Sequence, residues 1–478
     1  MTTKTGIFLP TLAWLWLAGC AAVGPDYRAP ESKVPEHWHA TLGNGVTPAA
    51  HPEALAEWWR AFDDPLLTEL VKQAVAGNLD LRRAQSRLRQ ARAERGGKQA
   101  DLAPTVDATS SFSRARTSDS GALNNLYQLG LDAGWEVDLF GGRRRAVEAA
   151  DAGVASGEAD LDDVLVSLLG DVALDYLDLR TYQARIEVVE KNLASLSETF
   201  AIVRWRAEAG QIGHLDVEQA RANLEQTRSQ LPDLKTSLIQ AENALAVLLG
   251  VPPGSLNNLL AETRPIPNPP AEVAVGVPAE TLRQRPDIRK AERELAAQTA
   301  TVGVATAELY PKFNLSGSIG LDALSSGKFF TASNRTWRIA PGISWNLFDA
   351  DRIRQNIAIQ SELQEQALLT YQATVLGALR EVENALTAYA DEQKRHALLD
   401  LATQAAERAA ELASMQYQAG LIDYLTVLET ERSQLSLQQQ LAESQGQVMI
   451  NLVRLYKVLG GGWNALPANA ASHQEDTL

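Results

Sequence analysis

The side chains that could carry covalent or metal chemistry in this sequence are few. Cys20 is the single cysteine among 478 residues, so an intrachain disulfide framework and a multi-cysteine metal site are both excluded. His37, His39 and His51 lie close together, but in a proline-containing extended segment they read as solvated side chains rather than metal ligands. There is no phosphate-cradling glycine loop, no paired-histidine zinc helix and no nucleophile elbow, and the expectation is a protein without catalytic residues, cofactor or metal. Glu429 and Arg432 stand three residues apart on a helical stretch, the spacing of an ordinary surface ion pair worth a few tenths of a kcal/mol. A formal charge of -15 leaves no general basic footprint for nucleic acid, and the Arg143, Arg144, Arg145 run has acidic residues nearby.

The surroundings of Cys20 give it a role. Lys4 is followed by an apolar run from Ile7 to Leu17, too short to span a bilayer, and then by Leu17, Ala18 and Gly19, the small residues that a signal peptidase needs before its cleavage point. This resembles a bacterial lipobox. The resemblance implies that residues 1–19 are a signal peptide and that Cys20 is lipidated as the mature N-terminus. Ala21, where an aspartate would retain the protein at the inner membrane, is similar to lipoproteins sorted to the outer membrane.

The chain repeats itself. Trp135 to Phe140 recurs around Trp345 to Phe348 with the tryptophans 210 positions apart, and Ala209-Gly210 recurs as Ala419-Gly420 and Leu249-Gly250 as Leu459-Gly460 at the same offset. Upstream, Asp80 to Arg83 matches Asp287 to Lys290, and Pro104 matches Pro311, at an offset of 207. The domain reading is a lipidated extended segment (20–63), a first repeat (64–250), a proline-rich extended linker (251–278), a second repeat (279–463) and a flexible tail (464–478).

Within each repeat the hydrophobic period changes in a fixed order. Leu81 to Leu102 is helical, with Arg82, Arg83, Gln85 and Arg89 on a polar face. From Tyr127 to Leu139 every odd position is apolar or aromatic while even positions include Gln128, Asp132, Glu136 and Asp138, the strict period of a strand. Trp337, Ile339, Ile343, Trp345 and Leu347 repeat the pattern, so each half carries one hairpin, at about 104–140 and about 311–348. Proline-free helical regions follow, from about Arg143 to Glu208 and Arg352 to Gln418; roughly 65 residues at 1.5 Å each extend on the order of 100 Å. Shorter helices return from about Leu215 to Leu249 and Tyr424 to Leu459, with the first helix of each repeat stacked end to end to complete the length. The alanine-rich, leucine-rich composition suits coiled-coil packing with a solvated second face.

Strands of ten to thirteen residues with one apolar face fit tilted membrane strands, and Trp135, Phe140, Trp345 and Phe348 at their helix-side ends suit an interfacial aromatic girdle. Four strands cannot close, and an open edge in hydrocarbon leaves backbone groups unpaired, so copies must combine. Two copies supply about eight strands and three about twelve; periodicity does not choose. The acidic residues Asp132, Glu136 and Asp138 are expected to line the lumen and favour cations by field. The fold class is thus mainly α with a membrane β-barrel, built on a duplicated helix, strand-hairpin, long-helix, helix unit.

These residues resemble the outer-membrane efflux factors, the TolC-like channels, and in particular their lipoprotein branch serving multidrug pumps. The resemblance covers nearly the whole mature chain and rests on Gly24 to Tyr27, Trp58-Trp59, Phe62 to Leu66, Arg285 to Ile288, Leu309 to Pro311, Trp345 to Phe348 and Leu459 to Trp463. It implies a homotrimer with a twelve-stranded barrel in the outer membrane, continued by a periplasmic α-helical barrel, working with a periplasmic adaptor and an inner-membrane pump of the RND type. By the same resemblance the stretch from Tyr417 to Arg432 is a periplasmic gate, in which Tyr417, Leu425, Glu429 and Arg432 constrict the pore. The tip residues Gly210, Asp216, Glu218 and Gly420 are candidates for adaptor contact. The implied function is passive export of small molecules or drugs; type I secretion, and from another class a pore-less periplasm-spanning lipoprotein, are the competing readings.

Overall fold

The computed structural model describes residues 22–31, 34–49, 55–116 and 123–462. Cys20 and the leader before it, His51, Trp463 and the tail lie outside the described residues. The chain divides into two compact units, the first made of residues 1–31, 86–159 and 289–373 and the second of 32–85, 160–288 and 374–478.

The first unit holds a four-stranded antiparallel sheet. Its strands are β1 (Thr105–Arg116), β2 (Leu123–Val137), β3 (Lys312–Ala323) and β4 (Arg335–Ser344), hydrogen-bonded in that order. The duplication supplies the two hairpins, and the β2–β3 pairing, from Tyr127↔Ala323 to Val137↔Phe313, joins them into one sheet. Trp345, Leu347 and Phe348, expected to continue the last strand, fall beyond its end at Ser344. Residues 22–31 are tied to the helices of this unit. Arg145 bonds the Val23 carbonyl (3.1 Å) and Asp26 (2.6 Å), Tyr27 Oη donates to Glu292 (3.0 Å), and a Cβ on Gly24 would come within 2.4 Å of Gly303 Cα.

Helices that thread both units begin with α1 (Pro65–Gly77) and α2 (Leu79–Ala100). Asp64 starts α1 by accepting from the Leu66 and Leu67 amides (2.9 and 3.2 Å), with Pro65 at the first helical position where its missing N–H costs nothing. The long helices α3 (Gly142–Glu208) and α8 (Arg352–Gln418) contain 67 residues each. The first returning segment is split into α4 (His214–Arg228) and α5 (Gln230–Leu248), whereas its duplicate α9 (Tyr424–Val458) is continuous. Pro232 is the physical difference: its ring opposes the carbonyl four residues back, at Arg228, and the duplicated position is Ala442. A short helix, α6 (Pro278–Gln284), and the 22-residue α7 (Pro286–Ala307) open the second repeat.

End-to-end stacking of helices occurs in the second unit at both duplicated joints. Asn78 donates its side-chain amide to the Leu248 carbonyl at the end of α5 (2.8 Å) and accepts from the Leu81 amide at the start of α2 (2.9 Å). Arg285 plays the matching part, donating to the Val458 carbonyl at the end of α9 (2.7 Å) while pairing with Asp287 and Glu381 (2.7 Å each). The main core lies in the same unit. Trp58 stacks on Tyr456 at 5.4 Å, and Trp59, Phe62 and the leucines of α1 pack with Tyr176, Leu177 and Tyr389. Arg180, 0% exposed, donates to Tyr176 Oη (3.0 Å), Gln183 (2.6 Å) and the Glu262 carbonyl (2.8 Å), and Tyr176 Oη in turn donates to Asp64. The 251–278 segment is more than an extended linker. It contains a helical turn, Asn257–Leu260, buries Leu256, Leu260, Ile266, Val273 and Val275, and its Val273–Ala274 pairs in parallel with Val46–Thr47.

Candidate channel wall and helical tip

Strand register sorts the sheet into two chemically different faces. Paired residues across antiparallel strands share a face. Val106, Ala108 and Phe112 therefore lie with Leu129, Leu131 and Trp135, with Leu315, Ile319 and Leu321, and with Trp337, Ile339 and Ile343. That face is bare: Trp337 is 76% exposed and Ile339 is 69% exposed. The opposite face carries Asp107, Thr109, Gln128, Asp132, Asn314, Ser316, Ser318 and Arg338, with Thr109 donating to Asp132 at 2.8 Å. The outer edges of β1 and β4 have no strand partner among the described residues. A wide exposed apolar face with two open edges is an incomplete object in water.

The tryptophans at the helix-side ends have matching hydrogen bonds. Trp135 Nε1 donates to the Leu102 carbonyl (2.9 Å) and Trp345 Nε1 to the Leu309 carbonyl (3.0 Å), so each indole pins a strand end to the residues that follow α2 or α7. Of the two phenylalanines expected in a girdle, Phe348 is 87% exposed, while Phe140 is half-buried, stacked on Tyr310 at 4.7 Å. Sequence reading missed a second aromatic set toward the opposite strand ends. Phe112 and Tyr127 are 4.8 Å apart, Tyr127 and Phe329 6.5 Å, and Phe329 and Phe330 5.0 Å. Two of the three acids expected to line a lumen are neutralised: Glu136 pairs with Arg143 (3.1 Å) and Asp138, beyond the end of β2, with Arg144 (3.3 Å), whereas Asp132 has no basic partner among the described residues. The arginine run was legible in the sequence; its pairing required the turn at Gly141 to fold it back.

In the second unit the two helix–helix turns come together. Val203, Val217 and Ala220 of the first turn pack with Ala413, Tyr417, Tyr424, Val427 and Leu428 of the second in a small separate core. Gly210 (φ 72°) and Gly420 (φ 76°) end the long helices in the left-handed region, and the amide of the following residue bonds back to the Arg206 and Gln416 carbonyls at 2.9 Å each. Arg206 crosses from the first turn to the second. It donates to the Tyr417 (2.9 Å) and Gln418 (2.8 Å) carbonyls and lies 4.7 Å from the centre of the Tyr417 ring, a cation closing the negative end of α8.

Of the expected gate residues, Tyr417 is buried, Leu425 is 49% exposed, and Glu429 and Arg432 are exposed. The i, i+3 ion pair is not formed. Arg432 Nε instead donates to Asn223 Oδ1 of the first turn (3.0 Å), and Glu429 has no ion-pair partner among the described residues. Asp216 stands in the first turn of α4, and Glu218 pairs with Arg221 at 3.4 Å. Glu431, absent from the sequence-based candidates, is held by Thr199 (2.9 Å); burial pushes its carboxyl up against the opposing pull of that hydrogen bond. The described residues contain no cluster of metal-ligating side chains, and no helix among them is long and apolar enough to cross a membrane.

A bare apolar sheet face with open edges, carried on long paired helices, is the anatomy of a channel subunit. The family profile described as "Outer membrane efflux protein" matches residues 70–251 and 277–461, and the chain belongs to that family. It is 33% identical over 466 residues to the solvent efflux pump outer membrane protein SrpC of Pseudomonas putida, covering 95% of this chain and 98% of that protein. To the cation efflux system protein CusC of an Escherichia coli strain it is 31% identical over 471 residues, covering 95% and 98%. Among solved structures, the outer-membrane channel OprN superposes with a TM-score of 0.88 at 37% identity, over 92% of this chain and 99% of that one. The open state of the Neisseria gonorrhoeae MtrE outer membrane channel gives 0.79 at 28%, over 93% and 99%. This chain is an efflux channel protein of the outer membrane with the TolC-like fold, of a family that transports rather than catalyses.

Proposed function

We propose that three copies close their sheets into one twelve-stranded barrel, continued by an α-helical barrel, and conduct small molecules passively outward. The observation that carries this reading is the open-edged sheet: its apolar face needs lipid, and the free edges of β1 and β4 need each other. Direction and energy come from an inner-membrane pump, of the RND type, joined through a periplasmic adaptor. SrpC, a solvent efflux protein, and CusC, a cation efflux protein, support a small solute as cargo.

Lipidation of Cys20, after loss of residues 1–19, anchors each copy. The support is positional: Ala22 packs against Gly141, next to the strand end that carries the tryptophan girdle, so a lipid two residues upstream starts near the membrane surface. At the tip, Tyr417, Leu425, Glu429 and Arg432 form the gate, and Gly210, Asp216, Glu218 and Gly420 meet the adaptor. The exposed Leu425 and the unpaired Glu429 favour this, because both are free to meet a neighbouring copy.

Planar-bilayer conductance of the purified lipidated protein, with its oligomeric mass in the same detergent, tests the channel. Conducting trimers are expected; monomers without conductance would overturn it in favour of a pore-less tether. Glu429→Ala combined with Arg432→Ala is expected to raise conductance, and correctly assembled protein of unchanged conductance would sink the gate assignment.

A further inference from the structure

The apolar face of the sheet has charged residues at one end. Along all four strands, the charged residues on that face are Arg114 and Arg116 of β1 and Arg335 of β4, all basic and all toward the end away from the helices. All three are exposed. The opposite face mixes both signs, with Asp107, Asp132, Glu136 and Asp322 against Lys312 and Arg338.

Their height is what a membrane boundary requires. Arg114 is nine residues from Thr105 at the helix-side end of β1, and Arg335 is nine residues from Ser344 at the corresponding end of β4. At roughly 3.3 Å per residue and a tilt near 40°, this is about 23 Å of rise, close to the ~25 Å apolar band of such barrels. Below them the face is Val106, Ala108, Ser110 and Phe112 on β1 and Trp337, Ile339, Pro341 and Ile343 on β4. The Phe112–Tyr127 ring pair lies beside this level. A guanidinium on the lipid side at that height is driven to the headgroups, since hydrocarbon does not solvate it.

We propose that Arg114 and Arg116 of one copy and Arg335 of the neighbouring copy form a binding site for the phosphates of an outer-leaflet glycolipid, one site at each seam of the assembled barrel. The inference rests on the closure of copies proposed above. β1 and β4 are the two edges of the protomer sheet, and when β4 of one copy pairs antiparallel with β1 of the next, their outer ends meet on the same face. Guanidinium forks bind phosphate oxygens in pairs, and three of them match a headgroup bearing two phosphates better than the single diester of a phospholipid.

The test uses full-length lipidated protein in nanodiscs of neutral phosphatidylcholine, titrated with bis-phosphorylated lipid A, dephosphorylated lipid A or phosphatidylglycerol, with bound lipid counted by native mass spectrometry. Bis-phosphorylated lipid is expected to be retained at one per seam. The combined Arg114→Gln, Arg116→Gln, Arg335→Gln variant is expected to lose about tenfold or more in retention, the loss of several charge-assisted bonds, while Arg338→Gln on the lumen face keeps it. Equal retention by the triple variant, equal loss in Arg338→Gln, or equal binding of dephosphorylated lipid A or phosphatidylglycerol would each overturn the site. If the triple variant fails to assemble, the lipid comparison on the unsubstituted protein decides. Mass and conductance of the same samples separate the two readings: conducting trimers without phosphate selectivity defeat this inference alone, and monomers defeat the channel together with it.

Discussion

The two helical tips share a backbone and differ in side chains. Both end a 67-residue helix at a left-handed glycine followed by the same back-bonded amide, and both begin the next helix four residues after that glycine. At equivalent positions, however, the first tip has Arg206, Ala207, Gly213, Gln219 and Ala222 where the second has Gln416, Tyr417, Asp423, Glu429 and Arg432. Duplication preserved the turn and divergence distributed the parts. The second tip carries the aromatic, acidic and basic groups of the proposed gate, while the first supplies Arg206 and Asn223, which hold them in place.

That division of labour can be broken in stages. Tyr417→Ala removes a buried aromatic side chain from the small tip core and is expected to destabilise that core by about 3 kcal/mol. Hydrogen exchange of residues 412–428 reads the loss directly. Arg206→Ala deletes two bonds to carbonyls and the ring contact, with an expected cost of about 2 kcal/mol confined to the end of α8. The duplicated substitution Gln416→Ala should change exchange little; equal effects from both would contradict the one-way clamp. Gly210→Ala and Gly420→Ala are expected to cost about 1 kcal/mol each, through the left-handed backbone alone, because a Cβ at either position meets no other atom within 4 Å. Unequal costs would show that the two turns are less alike than their dihedral angles. Asp423→Ala, losing a cap that the Thr426 amide uses, should cost about 0.5–1 kcal/mol, whereas Gly213→Asp should gain only a few tenths at the uncapped first tip.

The gentlest probe is pH. Burial holds the Glu431 carboxyl above its ordinary value, so its neutral form suits the folded tip; the tip is most stable below the unfolded pKa and loses that contribution as pH rises through the raised one. The group at the equivalent position of the first tip is Arg221, which brings no such titration. Glu431→Gln is therefore expected to flatten the pH dependence of tip exchange, and a dependence left unchanged would point to a different titrating group.

Much of the architecture is legible in the sequence. The offset of 210 positions, the strand parity from Tyr127 onward and the proline-free lengths of α3 and α8 are local signals, and the helices and strands follow them within a few residues. The split between α4 and α5 was equally local and lay in Pro232, which the expectation of one returning helix passed over. The proposed gate was legible only in part. Its residue types stood in the sequence, but the spacing of Glu429 and Arg432 suggested a pair that the fold does not make.

Sequence by itself determined the periodicities: which residues alternate, where helices run unbroken, and that one unit was used twice. These depend on backbone geometry and on neighbours a few positions away. Tertiary structure alone decided that Arg432 turns to Asn223, that Arg206 closes α8, that Glu136 and Asp138 are neutralised by Arg143 and Arg144, and that three arginines share one face of the sheet toward its end away from the helices. Apart from the two pairs folded back at Gly141, those partners lie about two hundred positions apart in the chain. A charged side chain chooses among all the groups that packing brings within reach, and that choice has no periodicity to read.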